Sequence, residues 1–175
     1  MRPVSVSGII AVDKGWLLGK SERSRSMSAE ENKALVRRYI EEFVDRSNFD
    51  LSDELFAPDF VRYGASPDQD AGVEDLKEFF VMLHSGFPDF QTTIEDLLSE
   101  GDKVVLRFTF HGTHQGEFMG IAPTGKQVRM SGIDIVRIAE AKIVEMWNQE
   151  DVLGMMQQMG VLPATEESSE EASPT

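Results

Sequence analysis

The spacing of apolar and polar positions along this chain switches near residue 90, from a mainly helical period to a period of two. From Ser28 to about residue 45, Leu35, Val36, Tyr39, Ile40, Phe43 and Val44 recur at three- and four-residue intervals, which predicts an amphipathic helix with a wide apolar stripe. Ser28 with Glu31 is a capping-box signature at its start. A shorter helical piece is expected around Asp50 to Phe56, ahead of Pro58, and DFVRY (59–63) reads as a short strand. Gly72 to Leu83 carries Val73, Leu76, Phe79, Phe80 and Leu83 on one side and predicts another helix, ending near Gly86 and Pro88. From Phe90 onward the period is two. Strands are expected at about 90–98, 103–113, 127–138 and 142–149, joined by turns at 99–102 and 139–142. A last helix, Asp151 to Met159, stops at Gly160 and Pro163. Helices followed by a meander of antiparallel strands predict an α+β fold in which a curved sheet wraps around the helices.

One position breaks the strand pattern. In GIDIVRI (132–138), alternation places Asp134 on the face of Val136 and Ile138, with Ile133, Ile135 and Arg137 on the other. Burying an ionised carboxylate without a partner costs several kcal/mol or more, so such a residue sits at a wet edge, is paired, or lines a polar cavity. A pocket carboxylate with a raised pKa can take a proton from carbon next to a carbonyl; the structural alternative is a strand aspartate paired with an arginine.

Composition narrows the partners. Of the net charge of −14, residues 1–27 contribute +3, residues 28–162 contribute −13 and residues 163–175 contribute −4. The folded part is therefore acidic and lacks the clustered Lys and Arg of a nucleic-acid or anionic-membrane footprint. With no Cys there is no disulfide frame and no thiolate chemistry, and a reduced cytoplasm is the expected location. VSVSGIIAV (4–12) is too short to span a bilayer and lacks a cleavage pattern, so residues 1–27 are expected to be a disordered extension, with Met27 opening a natural start. PATEESSEEASPT (163–175) is expected to be a disordered acidic tail, leaving 28–162 as one domain.

The other polar candidates are weaker. His111 and His114 are three apart on a strand, hence on opposite faces, and do not converge on a metal. His114 is expected at the turn into the GEFMG loop, on the rim of a pocket. Arg107 reads as solvent-facing or ion-paired, and Trp147 faces away from Asn148, toward core or a dimer seam. Met155, Met156 and Met159 read as core packing, with a pocket mouth as the alternative.

GTHQGEFMGIAPTGK (112–126), SGIDIVRI (131–138) and KIVEMWNQEDVLGMMQQMG (142–160) together resemble the SnoaL-like polyketide cyclase, or ester cyclase, family, over about Ala29 to Leu162. The resemblance implies a cone-shaped α+β barrel enclosing a pocket, the fold shared with ketosteroid isomerase and the nuclear transport factor group. It implies no metal or organic cofactor: in the founding cyclases an aspartate serves as general acid and base in an intramolecular aldol closure. The position of that aspartate falls on Asn148, which cannot take a proton. A histidine partner falls on Asp134, and a polar residue of the early strand on Arg62. The implied protein binds a small apolar carbonyl compound, with Asp134 and Asn148 at the reacting centre and Arg62 and His114 contacting substrate. A non-catalytic binder of hydrophobic metabolites is the alternative, and a homodimer is expected in either case. Whether Asp134 and Asn148 meet depends on the last turn. Three turn residues, 140–142, place them opposite one another, whereas two place Asp134 opposite Trp147.

Overall fold

Ser28 caps the first helix as its sequence predicts: its Oγ accepts the Glu31 N–H at 3.2 Å and Glu31 Oε2 accepts the Ser28 N–H at 2.8 Å. The structure is a computed structural model that describes residues 27–66 and 69–163. The expected extension before Met27 and the acidic tail lie outside the described residues.

The expected continuous helix is two structures. Helix α1 spans Ala29–Arg38, and a π-helical segment then runs Tyr39–Val44, where the Asp45 N–H reaches back five residues to Ile40 O at 2.9 Å. The wider turn lets Tyr39, Ile40, Phe43 and Val44 all face inward, which a 3.6-residue turn does less well. The short helical piece is likewise divided, into a 3-10 turn, Phe49–Leu51, and helix α2, Ser52–Leu55.

Strand β1 covers Phe56–Ser66, well beyond the five residues expected, and turns into a short strand the pattern did not reveal, β2, Gln69–Ala71. Helix α3, Val73–Gly86, ends where Gly86 and Pro88 predict, with Leu76, Phe80, Leu83 and Gly86 buried. Strands β3 (Gln91–Glu100), β4 (Lys103–Thr113), β5 (Gln127–Ala139) and β6 (Lys142–Glu150) and helix α4 (Val152–Met159) follow close to expectation.

The six strands form one open sheet in the order β2-β1-β6-β5-β4-β3. The meander β3 to β6 is antiparallel, as predicted, but β1 pairs with β6 in parallel, because the chain crosses through α3 and three strands before β6 returns to its side. Register breaks in β1, β3 and β6 add local bend and twist, which lets so long a sheet curve around α1 and α3. Aromatic rings fill the space between helices and sheet, with Phe43 in edge contact with Phe56 at 5.2 Å and with Phe80 at 6.2 Å. Burying rings of this size, at roughly 25 cal/mol per Å² of apolar surface, is the main force holding the layers together. Among the described residues no helix is long and apolar enough to cross a membrane.

Candidate active site

The last turn decides what the site contains. Glu140 and Ala141 form a two-residue turn between Ala139 and Lys142, both at positive φ (51° and 61°). That turn alone would set Asp134 against Trp147. A bulge then intervenes: Ile138 pairs with Ile143 but Arg137 pairs with Glu145, leaving Val144 unmatched. From there the ladder runs one residue out of step, and Asp134 faces Asn148 directly. Neither turn length expected from sequence accounts for the pairing; a tight turn plus a bulge does.

Across that rung the Asn148 Nδ2 donates to Asp134 Oδ1 at 2.6 Å, while the Arg62 Nε donates to Asn148 Oδ1 at 2.7 Å. The amide is thereby held in one orientation, donor toward the carboxylate and acceptor toward the guanidinium. Arg62 comes from β1, which the parallel β1–β6 pairing brings beside Asn148, and its guanidinium carbon lies 5.1 Å from the Phe79 ring centre. Sequence reasoning placed Asp134, Asn148 and Arg62 together, and the structure joins them in one hydrogen-bonded line.

Asp134 is 3% exposed. Burial, followed by the charge of Glu150, pushes its carboxyl up to about 7, against the opposing pull of the Asn148 hydrogen bond and of Arg62. Burial raises Glu150 as well, with Arg62 opposing. The Tyr39 phenol, fully enclosed, is raised first by burial and then by Asp134, so it stays protonated through the neutral range.

These groups line a narrow inner cavity of ≈ 40 Å³ between the π-helical segment, α3 and the sheet, with Phe80, Phe108 and Met130 among its apolar walls. Arg62, Phe79, Asn148 and Glu150 also line an outer recess of ≈ 290 Å³, walled by Phe118, Met119, Val152 and Met155. The polar line therefore stands at the junction between a small aromatic chamber and a larger, methionine-rich mouth. Such a site can accept an apolar molecule from the mouth and present one polar end of it to Asp134.

The GEFMG loop builds part of that mouth. The Gln115 and Gly116 N–H groups both donate to Gly86 O, at 2.9 and 3.0 Å, and a Cβ on Gly116 would stand 2.0 Å from the Ser85 carbonyl oxygen, so only glycine fits there. The docked loop turns tightly at Met119-Gly120 and folds Phe118 under itself against Phe87, 5.2 Å between ring centres.

His114 stands elsewhere than expected. It is fully buried, off the rim, stacked on Phe87 with 5.2 Å between ring centres, and its Nδ1 meets Thr124 Oγ1 at 3.1 Å and accepts the Thr124 N–H at 3.3 Å. It ties the two ends of the loop together and is not among the residues lining the cavity. The reason is that β4 ends at Thr113: His111 within it faces outward, while His114 beyond it is held under the loop by its N–H, which donates to Lys126 O at 2.9 Å, and by its carbonyl, which accepts the Gly125 N–H at 2.8 Å. Arg107 pairs with Asp96 at 2.7 Å on the outer surface, and Trp147 stacks on Tyr63 at 5.2 Å on the face away from the cavity. Met155 and Met159 are buried core residues, and Met155 also walls the recess.

Two members of the site escaped the sequence reading. Glu150 shares the face of Asn148 by simple alternation, a signal present in MWNQED. Tyr39 lay within the apolar helix stripe and carried no sign that its hydroxyl would reach a cavity.

A curved, open α+β sheet over helices, with a buried carboxyl lining an apolar inner cavity, defines a class of small pocket proteins. The profile of the SnoaL-like polyketide cyclase family matches residues 34–159, and the chain belongs to that family. No curated protein gives a significant match. Among solved structures it is similar to AclR of Streptomyces galilaeus, a proposed hydroxylase, at 31% identity and a TM-score of 0.71 over 80% of this chain and 87% of that one. It is similar to a proposed SnoaL-like polyketide cyclase from Jannaschia sp. CCS1 at 26% identity and 0.68, over 77% and 94%. IdmH of Streptomyces antibioticus, a proposed polyketide cyclase, matches at 28% and 0.66, over 74% and 98%.

Proposed function

We propose that this protein is an acid/base enzyme without cofactor that enolises and closes, or isomerises, a small apolar carbonyl compound, with Asp134 as a proton-transfer group, acid or base. The observation that carries the reading is the buried line Arg62, Asn148, Asp134, with a carboxyl pushed up to about 7 at its end. A general acid or base works best when its pKa lies near the working pH. The exchange of residues across the β5–β6 rung supports it further. Where the family resemblance puts an aspartate there is Asn148, and opposite it, at the partner position, stands Asp134. The carboxyl has crossed the ladder without leaving the pocket. Arg62 is suited to hold the oxygen of an enolate, and the recess supplies apolar walls for the rest of the ligand. The setting is taken to be a reduced cytoplasm and the working form a homodimer.

The test is deuterium incorporation at the carbon next to the carbonyl of neutral aryl ketones such as α-tetralone, in D2O. Wild-type protein should accelerate exchange and Asp134→Asn should not; equal rates for the two would reject the proposal. The second reading, a binder of apolar metabolites, is favoured by the amide at position 148, and predicts a ligand-induced rise in melting temperature with no exchange. AclR carries the name of a proposed hydroxylase on the same scaffold, so reaction type is decided by product analysis rather than by fold.

A further inference from the structure

Glu150 ends β6 two residues after Asn148 and projects from the same face. In the ladder it stands opposite Gly132, one step diagonally from Asp134, a separation of roughly 7–8 Å that long side chains bridge. Gly132 has no side chain to intervene; a Cβ there would lie 2.4 Å from the Phe108 ring, whose edge fills the space instead. Asp134 and Glu150 line the same inner cavity, and Glu150 alone of the two also lines the outer recess. Among the described residues Glu150 accepts no hydrogen bond and makes no ion pair within 4.0 Å, so its oxygens are available to the cavity. The titratable and charged groups facing that cavity are Tyr39, Arg62, Asp134 and Glu150. With a neutral phenol, this is one cation against two carboxyls in an apolar enclosure. A buried and a half-buried carboxylate with one counter-charge are unfavourable together, and the enclosure is neutral when one of them keeps its proton.

We propose that Glu150 is a second catalytic carboxyl, and that it and Asp134 share a single proton across the cavity. The inference rests on the reading of Asp134 given above. Glu150, nearer the mouth and the better solvated, is the ionised member; Asp134, enclosed, holds the proton. In an aldol closure the Glu150 carboxylate takes a proton from the carbon beside one substrate carbonyl, and the C–H electron pair becomes the enolate. The enolate carbon then bonds to the second carbonyl carbon of the same molecule. The electron pair displaced onto that oxygen takes the proton of Asp134. Substrate and product are isomers, Glu150 ends protonated and Asp134 ionised, and one proton transfer between them, through a water for which ≈ 40 Å³ has room, restores the start. Arg62, which lines both compartments, neutralises whichever oxygen carries the charge.

The experiment combines carbon-13 NMR titration of the Asp134 carboxyl, which needs no substrate, with α-tetralone exchange in wild type, Glu150→Gln, Glu150→Asp and Asp134→Asn. In Glu150→Gln the Asp134 midpoint should fall, because a neutral amide removes the neighbouring charge, and exchange should drop by about 100-fold or more. Glu150→Asp keeps a charge on a shorter arm; it should hold the Asp134 midpoint near that of wild type while still losing exchange. It serves equally if the amide variant does not fold. An Asp134 midpoint unmoved in Glu150→Gln overturns the shared proton, and undiminished exchange overturns the catalytic role. If Asp134→Asn abolishes exchange and Glu150→Gln does not, this inference falls while the acid/base function stands. If neither variant loses exchange, both fall.

Discussion

Asn148 donates its amide hydrogen to Asp134 across one rung of the β5–β6 ladder, at 2.6 Å, and that contact exists because a bulge at Val144 moves β6 by one residue. Without the bulge Asp134 would face Trp147, and the indole rather than the Asn148 amide would take the cavity side of β6. A backbone irregularity ten residues from the carboxyl therefore sets its chemistry, and each consequence can be measured.

The first concerns pH. Burial, with the charge of Glu150, pushes the Asp134 carboxyl up to about 7 in the folded chain from an ordinary value of 3.8. Between those values the native state holds a proton that the unfolded chain has released, so this contribution to stability is complete below about pH 4 and is lost as pH rises through 7. The slope is at most about 1.4 kcal/mol per pH unit. Asp134→Asn should therefore flatten the pH dependence of the melting temperature and leave the protein more stable than wild type at pH 8. A variant whose stability follows pH as steeply as wild type would place the titration on another group.

A second follows from the orientation of the amide. Asn148→Asp keeps an acceptor for Arg62 but replaces the donor facing Asp134 with another carboxyl. The midpoint of Asp134 should rise above that of wild type, and any catalytic pH profile should move to higher pH with it. NMR titration of the labelled carboxyl decides; a midpoint at or below the wild-type value would show that the amide does not stabilise the anion.

The packing beneath the site makes a third. Gly132→Ala would drive a methyl into the Phe108 ring, at 2.4 Å in the unrelaxed geometry. Phe108 is buried, and a methyl at 132 would push its ring toward the cavity it walls, so a loss of roughly 1–3 kcal/mol is expected in urea unfolding. A cost within experimental error would mean that the ring yields freely.

The turn makes a fourth. Ala141 sits at φ 61°, a left-handed conformation that costs an alanine about 1–2 kcal/mol relative to right-handed backbone and costs glycine little. Ala141→Gly should stabilise the protein by up to about 1 kcal/mol after the greater freedom of the unfolded glycine is counted, read as a rise of several degrees in melting temperature. A fall in melting temperature would contradict the strain.

The fifth tests assembly. Ile133 is 47% exposed and Ile135 is 38% exposed, on the sheet face that also carries Trp147 stacked on Tyr63. We propose that this face pairs two copies of the chain. Light scattering should give twice the chain mass, and Ile133→Glu with Ile135→Glu should give monomers; a wild-type monomer at micromolar concentration would reject the proposal.

The sequence by itself determined the order of the main helices and strands, the α+β class, the four long strands and the inward face of Asp134, because these follow from local periodicity, caps and turn residues. Resemblance of three segments to a family added Arg62 and Asn148 as its partners. Only the tertiary structure decided the register that joins them, since a register depends on where one unmatched residue is accommodated, and no local pattern marks Val144 as that residue. It also decided the parallel placement of β1 beside β6, which rests on a crossover rather than on either strand. Tyr39 was legible as an apolar stripe residue and not as a cavity hydroxyl, because the π-helical turn that aims it inward depends on what packs around it. Glu150 was legible by alternation, yet its significance is a matter of surroundings: a carboxyl at a strand end is ordinary until burial beside Asp134 and a single arginine makes the number of protons in the pocket matter.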